Sequence, residues 1–166
     1  SMLLQRIESI LLLHESLYLS LRHPEIDFRQ FLDLLANNIQ NRLEESFQIV
    51  KNIDCDYIEM DRAITLGLVV DELIINALIH AFPNSHRLKL LPGLPVIQID
   101  YYETEGSGHL SVRDNGIGLP EGLSMKDLST HGLPLVDMLI REQLDGSIDI
   151  GREEAVTQIR IRFPLS

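Results

Sequence analysis

Residues 61–82, DRAITLGLVVDELIINALIHAF, form a helix-length segment that is apolar on almost every face. Ile64, Leu66, Leu68, Val69, Val70, Leu73, Ile74, Ile75, Ala77, Leu78, Ile79, Ala81 and Phe82 supply that surface. A helix of this kind belongs inside a core. One thin polar stripe interrupts it. Glu72, Asn76 and His80 recur every fourth residue and share a face, and Thr65, one heptad before Glu72, extends the line. A carboxylate and a carboxamide sunk in such a helix are costly unless something satisfies them. A polar ligand or a hydrated ion on that face would do so. Taken alone, the pair reads more simply as a solvated edge of a core helix.

A second segment changes that balance. Residues 109–120 read HLSVRDNGIGLP. Leu110 and Val112 alternate with Ser111 and Arg113, which is strand periodicity, and period two puts Asp114 on their inward face. The strand breaks at Asn115-Gly116, and Gly118 follows. Asn-Gly alone is a common turn dipeptide. Two glycines next to an inward carboxylate also let backbone approach a flat ligand where a Cβ would block it. That arrangement suits the exocyclic amine of a planar base.

In this order and spacing, DELIINALIHAF and DNGIGLP resemble the N and G1 boxes of the GHKL ATPase superfamily, and THGLPLV at 130–136 is similar to a weakened G2 box. Within the superfamily the pattern resembles the sensor histidine kinases of the HisKA_2 and HWE type. RIESILLLHESLY at 6–18 is similar to the second helix of their dimerisation and phosphotransfer region, and REQLDGSIDI also fits. The resemblance covers essentially the whole chain. It implies an α+β fold, a two-layer α/β sandwich of the Bergerat type, with a mixed sheet covered by helices on one face. Residues 1–22 would be the remnant of the dimerisation helix and 23–166 the ATP-binding catalytic domain.

The resemblance also assigns roles. Glu72 matches the general base or water-orienting acid, and Asn76 the magnesium ligand. Asp114 matches the carboxylate that reads the adenine amine, with Gly116 and Gly118 beside the base. Gly132 matches a glycine near the phosphates. Thr157 matches a hydroxyl that backs the adenine-reading acid; His80 is read from its place on the polar stripe, not from the resemblance, as a hydrogen-bonding group behind the cofactor. ATP and Mg2+ are the implied cofactors. The implied reaction transfers the γ-phosphoryl group to a histidine outside this chain, with a downstream response regulator and a homodimer through the N-terminal helix. His14 lies in the HE-x-LY motif, whereas the resemblance places the accepting histidine on an earlier helix. His14 is therefore read as packing.

Four departures fall mostly on the phosphate half. Ile79 stands where the family usually has Lys, and Asp71 where it usually has Asn. His131 and Pro134 flank the G2 glycine. Proline is tolerated in the first turn of a helix, but it removes an N–H that could face phosphate. Lys126, in a short lid at 123–127, and Arg87 and Lys89 are the candidate replacement cations. A second reading follows: a regulatory or phosphorelay module that keeps the fold with weak or no ATP turnover. The HE-x-LY helix argues against an anti-sigma-factor-type serine kinase, and the short lid against a mechanical ATPase.

Composition narrows the alternatives. The 166 residues suit one domain with a short appendage. A net charge of −11 argues against a nucleic-acid surface and against an anionic membrane. An acidic chain that binds ATP needs local cations or magnesium. Cys55 is the sole cysteine, which excludes an internal disulfide and suits a reducing compartment, here expected to be the cytoplasm. No apolar run is expected to reach a membrane span, and the six histidines are too scattered for a metal cluster.

Periodicity predicts a helix over 2–22, with Leu4, Ile7, Leu11 and Tyr18 on one face. It predicts a second over 28–44 capped by Asp27, and a strand over 47–53. Asp61 is expected to cap the 61–82 helix. A loop at 83–94, strands at 96–102 and 110–114, a connection at 120–130 and a helix at 133–144 follow. A hairpin of 147–150 and 156–163, turning near 151–154, closes the chain. Helices and strands do not alternate strictly, so a mixed sheet under a helical layer is expected.

Overall fold

The computed structural model describes residues 25–43, 47–82, 95–118, 133–153 and 156–166. The helix expected at 2–22, Arg87 and Lys89, and the connection with Lys126, His131 and Gly132 lie outside the described residues. Along the chain the elements run β1 (Glu25–Asp27), α1 (Phe28–Leu43), β2 (Gln48–Asp54), β3 (Tyr57–Glu59), α2 (Met60–Asn76), β4 (Val96–Thr104), β5 (Ser107–Asp114), α3 (Leu133–Met138), β6 (Ser147–Glu153) and β7 (Val156–Pro164). A π-helical turn follows α2 at Ala77–Ala81, and another follows α3 at Leu139–Gln143.

Five strands form one sheet in the order β2-β4-β5-β7-β6. The β2–β4 pair is parallel and the other three are antiparallel, so the sheet is mixed as expected. Its inward face carries Ile97, Ile99, Tyr101, Leu110, Val112, Ile161 and Phe163, all buried with the inward residues of α1 and α2. The outer face is polar: Asp100 accepts hydrogen bonds from Asn52, Gln98 and Ser111. β1 and β3 pair separately. The sequence reading missed this pair, because three residues per strand are too few to show a period.

Local chemistry sets the register. Asp27 Oδ1 accepts the Gln30 N–H at 2.9 Å, so Asp27 caps α1 as predicted. Between β4 and β5, Glu105 (φ 48°) and Gly106 (φ 76°) both lie in the left-handed region. That geometry suits a two-residue hairpin whose twist matches its strands. It pairs Thr104 with Ser107 and, at the far end of the hairpin, Ile97 with Asp114. The antiparallel β5–β7 pair then sets Thr157 opposite Asp114.

The start of α2 differs from expectation. Glu59, not Asp61, is the N-cap residue, and among the described residues no side chain caps the helix there. Asp61 lies in the first turn, where a carboxylate meets the positive end of the helix dipole. From Met60 to Ala81 the helix has 22 residues, and its most apolar 18-residue window has a mean hydropathy of 1.7, which is long and apolar enough to cross a membrane. The expectation that no segment reaches that length is thereby corrected. Ala63, Leu66, Val69, Val70, Leu73 and Ile74 nevertheless bury it against the sheet and its neighbouring helices. That placement accounts for the near-continuous apolar surface.

One packing contact carries a test. Gly108 of β5 sits under the ring of Phe163, and a Cβ there would lie 2.4 Å from Cζ and 2.5 Å from Cε2. Phe163 is fully buried beside Tyr101, so its ring has nowhere to go. Gly108→Ala is expected to destabilise the fold by about 1–3 kcal/mol, the range for overpacking. The melting temperature should fall by about 2–4 °C per kcal/mol at this chain length. A thermal melt unchanged by the substitution would show that the ring can move.

Candidate functional site

The site lies where the C-terminal end of α2 meets the turn after β5. Glu72, on the buried face of α2, is 5% exposed, and its neighbour Asp71 is buried as well. One turn on, the Asn76 Nδ2 is buried with no hydrogen-bond partner among the described residues. The helix then widens into the π turn Ala77–Ala81 and ends at Phe82, whose φ of −126° and ψ of 57° leave the helical region. The wider turn breaks the 3.6-residue period. Glu72 and Asn76 lie one turn apart in α2, and His80, four residues further on in the π turn, is exposed. Thr65 bonds within its own helix. Its Oγ1 donates to the Asp61 carbonyl at 3.1 Å.

The turn after β5 is fastened from two sides. Asn115 holds it to β4: its N–H donates to the Val96 carbonyl at 3.2 Å, and its Oδ1 accepts the Val96 N–H at 2.8 Å. The Ile117 N–H donates to the Ala81 carbonyl at 3.0 Å and holds the turn to α2. A Cβ on Gly116 would lie 2.4 Å from that carbonyl oxygen and 2.5 Å from the Ala81 Cβ. The glycine at 116 is therefore required first by the protein's own helix end. Gly118 has φ of 74°, a backbone state that favours glycine.

Asp114 projects inward from the last position of β5 and is 7% exposed. Burial pushes its carboxyl pKa above the ordinary 3.8, and the hydrogen bond from the Gly116 N–H at 2.9 Å partly opposes the shift. That bond engages Oδ1, and a carboxylate has lone pairs to spare for a second donor. Thr157, also buried, sits opposite on β7. Glu72, Asn76, Asp114, Gly116, Gly118 and Thr157 thus belong to elements that meet at one end of α2. Gly132 lies outside the described residues. Ile117, which the sequence reading passed over, is 59% exposed at the mouth of the turn. Ile79 is exposed as well, an apolar side chain at the position where the resemblance leads one to expect a lysine.

Magnesium favours oxygen ligands, demands octahedral geometry and keeps several waters. Among the described residues no group of three His, Cys, Asp or Glu could hold a metal ion, so an all-protein cage is not offered. Asn76 suits a different arrangement, in which one protein ligand accompanies phosphates and water. Asn76 is half-buried, and its amide nitrogen has no hydrogen-bond partner among the described residues, so the carboxamide can turn to a ligand from outside the fold. The two amide ends are interchangeable by a side-chain flip, so its oxygen can occupy the same place.

The family described as histidine kinase-, DNA gyrase B- and HSP90-like ATPase matches residues 61–166. The chain is 27% identical over 165 residues to the sensor histidine kinase PdtaS of Mycobacterium tuberculosis, covering 97% of this chain and 31% of that protein. The PdtaS of Mycolicibacterium smegmatis is 29% identical over 165 residues, 97% of this chain and 32% of its own length. The chain thus spans about a third of these curated relatives. Among solved structures, the Erythrobacter litoralis EL346 blue-light activated histidine kinase superposes with a TM-score of 0.77 at 24% identity. That match covers 98% of this chain and 48% of the other, and it bears on the fold alone.

Proposed function

This chain belongs to the histidine kinase-, DNA gyrase B- and HSP90-like ATPase family, and on that premise we propose that it is the ATP-binding catalytic domain of a sensor histidine kinase. The observation that carries the reading is the buried Asp114 carboxylate. It faces Thr157 and borders a glycine turn bonded directly to the helix that bears Glu72 and Asn76. In this proposal the adenine amine donates to Asp114, with the Thr157 hydroxyl beside it. The Asn76 carboxamide oxygen holds Mg2+, whose chemistry is to neutralise charge on the phosphates. Glu72 accepts a hydrogen bond from one nitrogen of the attacking imidazole. The other nitrogen's lone pair bonds to the γ-phosphorus, the bond to the β–γ bridging oxygen breaks, and ADP leaves. Such transfer needs mainly positioning and charge neutralisation.

The accepting histidine belongs to a helix outside this chain, and a downstream response regulator receives the group. Pairing through the N-terminal helix as a homodimer is part of the same proposal, as is a cytoplasmic setting. Burial, assisted by nearby carboxylates, pushes the Cys55 thiol up to about 11, which leaves it protonated and inert.

One observation favours a second reading, a regulatory module with weak or absent turnover. Exposed Ile79 brings no cation to the phosphates. Calorimetric titration of ATP and of a non-hydrolysable analogue, with and without magnesium, separates the two. Magnesium-dependent binding in the micromolar to millimolar range is expected for a kinase domain. Absence of binding would transfer the weight to the regulatory module.

A further inference from the structure

We infer that Ala81 is a positioning residue, whose main-chain carbonyl locks the base-reading turn to the helix that carries Asn76. The inference rests on the nucleotide-binding reading above. The last carbonyls of a helix have no intrahelical donor. Here the Ala81 carbonyl takes the Ile117 N–H at 3.0 Å, from a segment far away in sequence. The fit is tight on both sides: Gly116 has no room for a Cβ against this carbonyl, and the Ala81 side chain is buried against the same glycine. Gly116 in turn donates to Asp114. A chain of direct contacts therefore runs from Asn76 through the π turn and Ala81 to Gly116 and Asp114. The last turn of α2 and the turn after β5 move together, so a nucleotide meets its base contact and its magnesium ligand at one set spacing. Preorganisation of this kind lowers the cost of binding both ends of a ligand at once.

The consequence is a coupling, and two substitutions break it without touching Asn76 or Asp114. Ile117→Pro deletes the donor N–H and keeps an apolar side chain. Ala81→Val crowds Gly116. Ile117→Val and Ala81→Gly keep the bond and serve as controls. Dissociation constants for adenosine, for ADP, and for ADP with magnesium are measured by NMR titration. Both coupling variants are expected to bind adenosine within about threefold of the parent. Magnesium should no longer improve their ADP affinity, a loss of about tenfold or more. Both controls should retain the magnesium effect.

Equal weakening of adenosine and magnesium–ADP would reduce Ala81 to a purely structural part, and an undiminished magnesium effect would overturn the inference outright. If the parent binds no nucleotide, the functional reading fails separately. The lock is then decided by amide exchange at Ile117. Protection by about a hundredfold or more in the parent that is lost in Ala81→Val supports it, and an unprotected Ile117 in the parent overturns it.

Discussion

Asn76→Ala is expected to abolish the magnesium-dependent part of nucleotide binding and to leave the fold at least as stable as before. Both halves follow from the same side chain. The Asn76 Nδ2 is buried without a partner among the described residues, and an unmet buried polar group costs about 1–3 kcal/mol. Removing the carboxamide removes that cost, and the methyl group of alanine favours the helix. A structural asparagine would behave oppositely, since its loss would lower the melting temperature. The check is a pair of measurements on one protein sample: titration of ATP with and without magnesium, and a thermal melt. An intact magnesium effect in the variant would remove Asn76 from the site. A large fall in melting temperature would make it a packing residue.

Asp114→Asn is expected to separate stability from binding in the same way. In the free domain the buried carboxyl has a raised pKa, chiefly from desolvation. Well below pH 3.8 it is protonated both folded and unfolded, so Asp114 carries no penalty there. As pH rises, the unfolded chain releases its proton first, and stability falls until the folded carboxyl has ionised too. At neutral pH the parent bears a desolvation penalty that the neutral amide does not. The variant should therefore melt higher than the parent at pH 7, with the difference shrinking in acid. Gly116 can still donate to the amide oxygen. The remaining amide N–H groups then face the adenine amine, donor against donor, and nucleotide affinity should fall by about 1–3 kcal/mol. That corresponds to about fivefold to 150-fold in dissociation constant. Normal ATP affinity in the variant would mean that the base lies elsewhere.

The elements legible in advance were those with a long period or a local chemical marker. The 61–82 helix showed itself through its continuous apolar surface, α1 through its Asp27 cap, and the β5 turn through Asn115-Gly116. Glu72 and Asn76 were legible because an α-helix repeats every 3.6 residues, and Asp114 because a strand alternates. The π turn that carries His80 was not legible, because nothing in the spacing announces a local widening of the helix. The N-cap of α2 went to Glu59, because β3 delivers the chain into the helix at that residue.

Composition and pattern were enough for the mixed sheet, the buried helix and the pairing of an inward acid with close-approach glycines, since each arises from periods and dihedral preferences within a short stretch. The meeting of those parts is different in kind. The Asp114–Thr157 register, the Phe163 ring over Gly108, and the Ala81 carbonyl in the space that Gly116 leaves each join residues distant along the chain. Such contacts depend on the packing of whole elements, to which neither partner's local sequence is sensitive, and only the folded arrangement decided them.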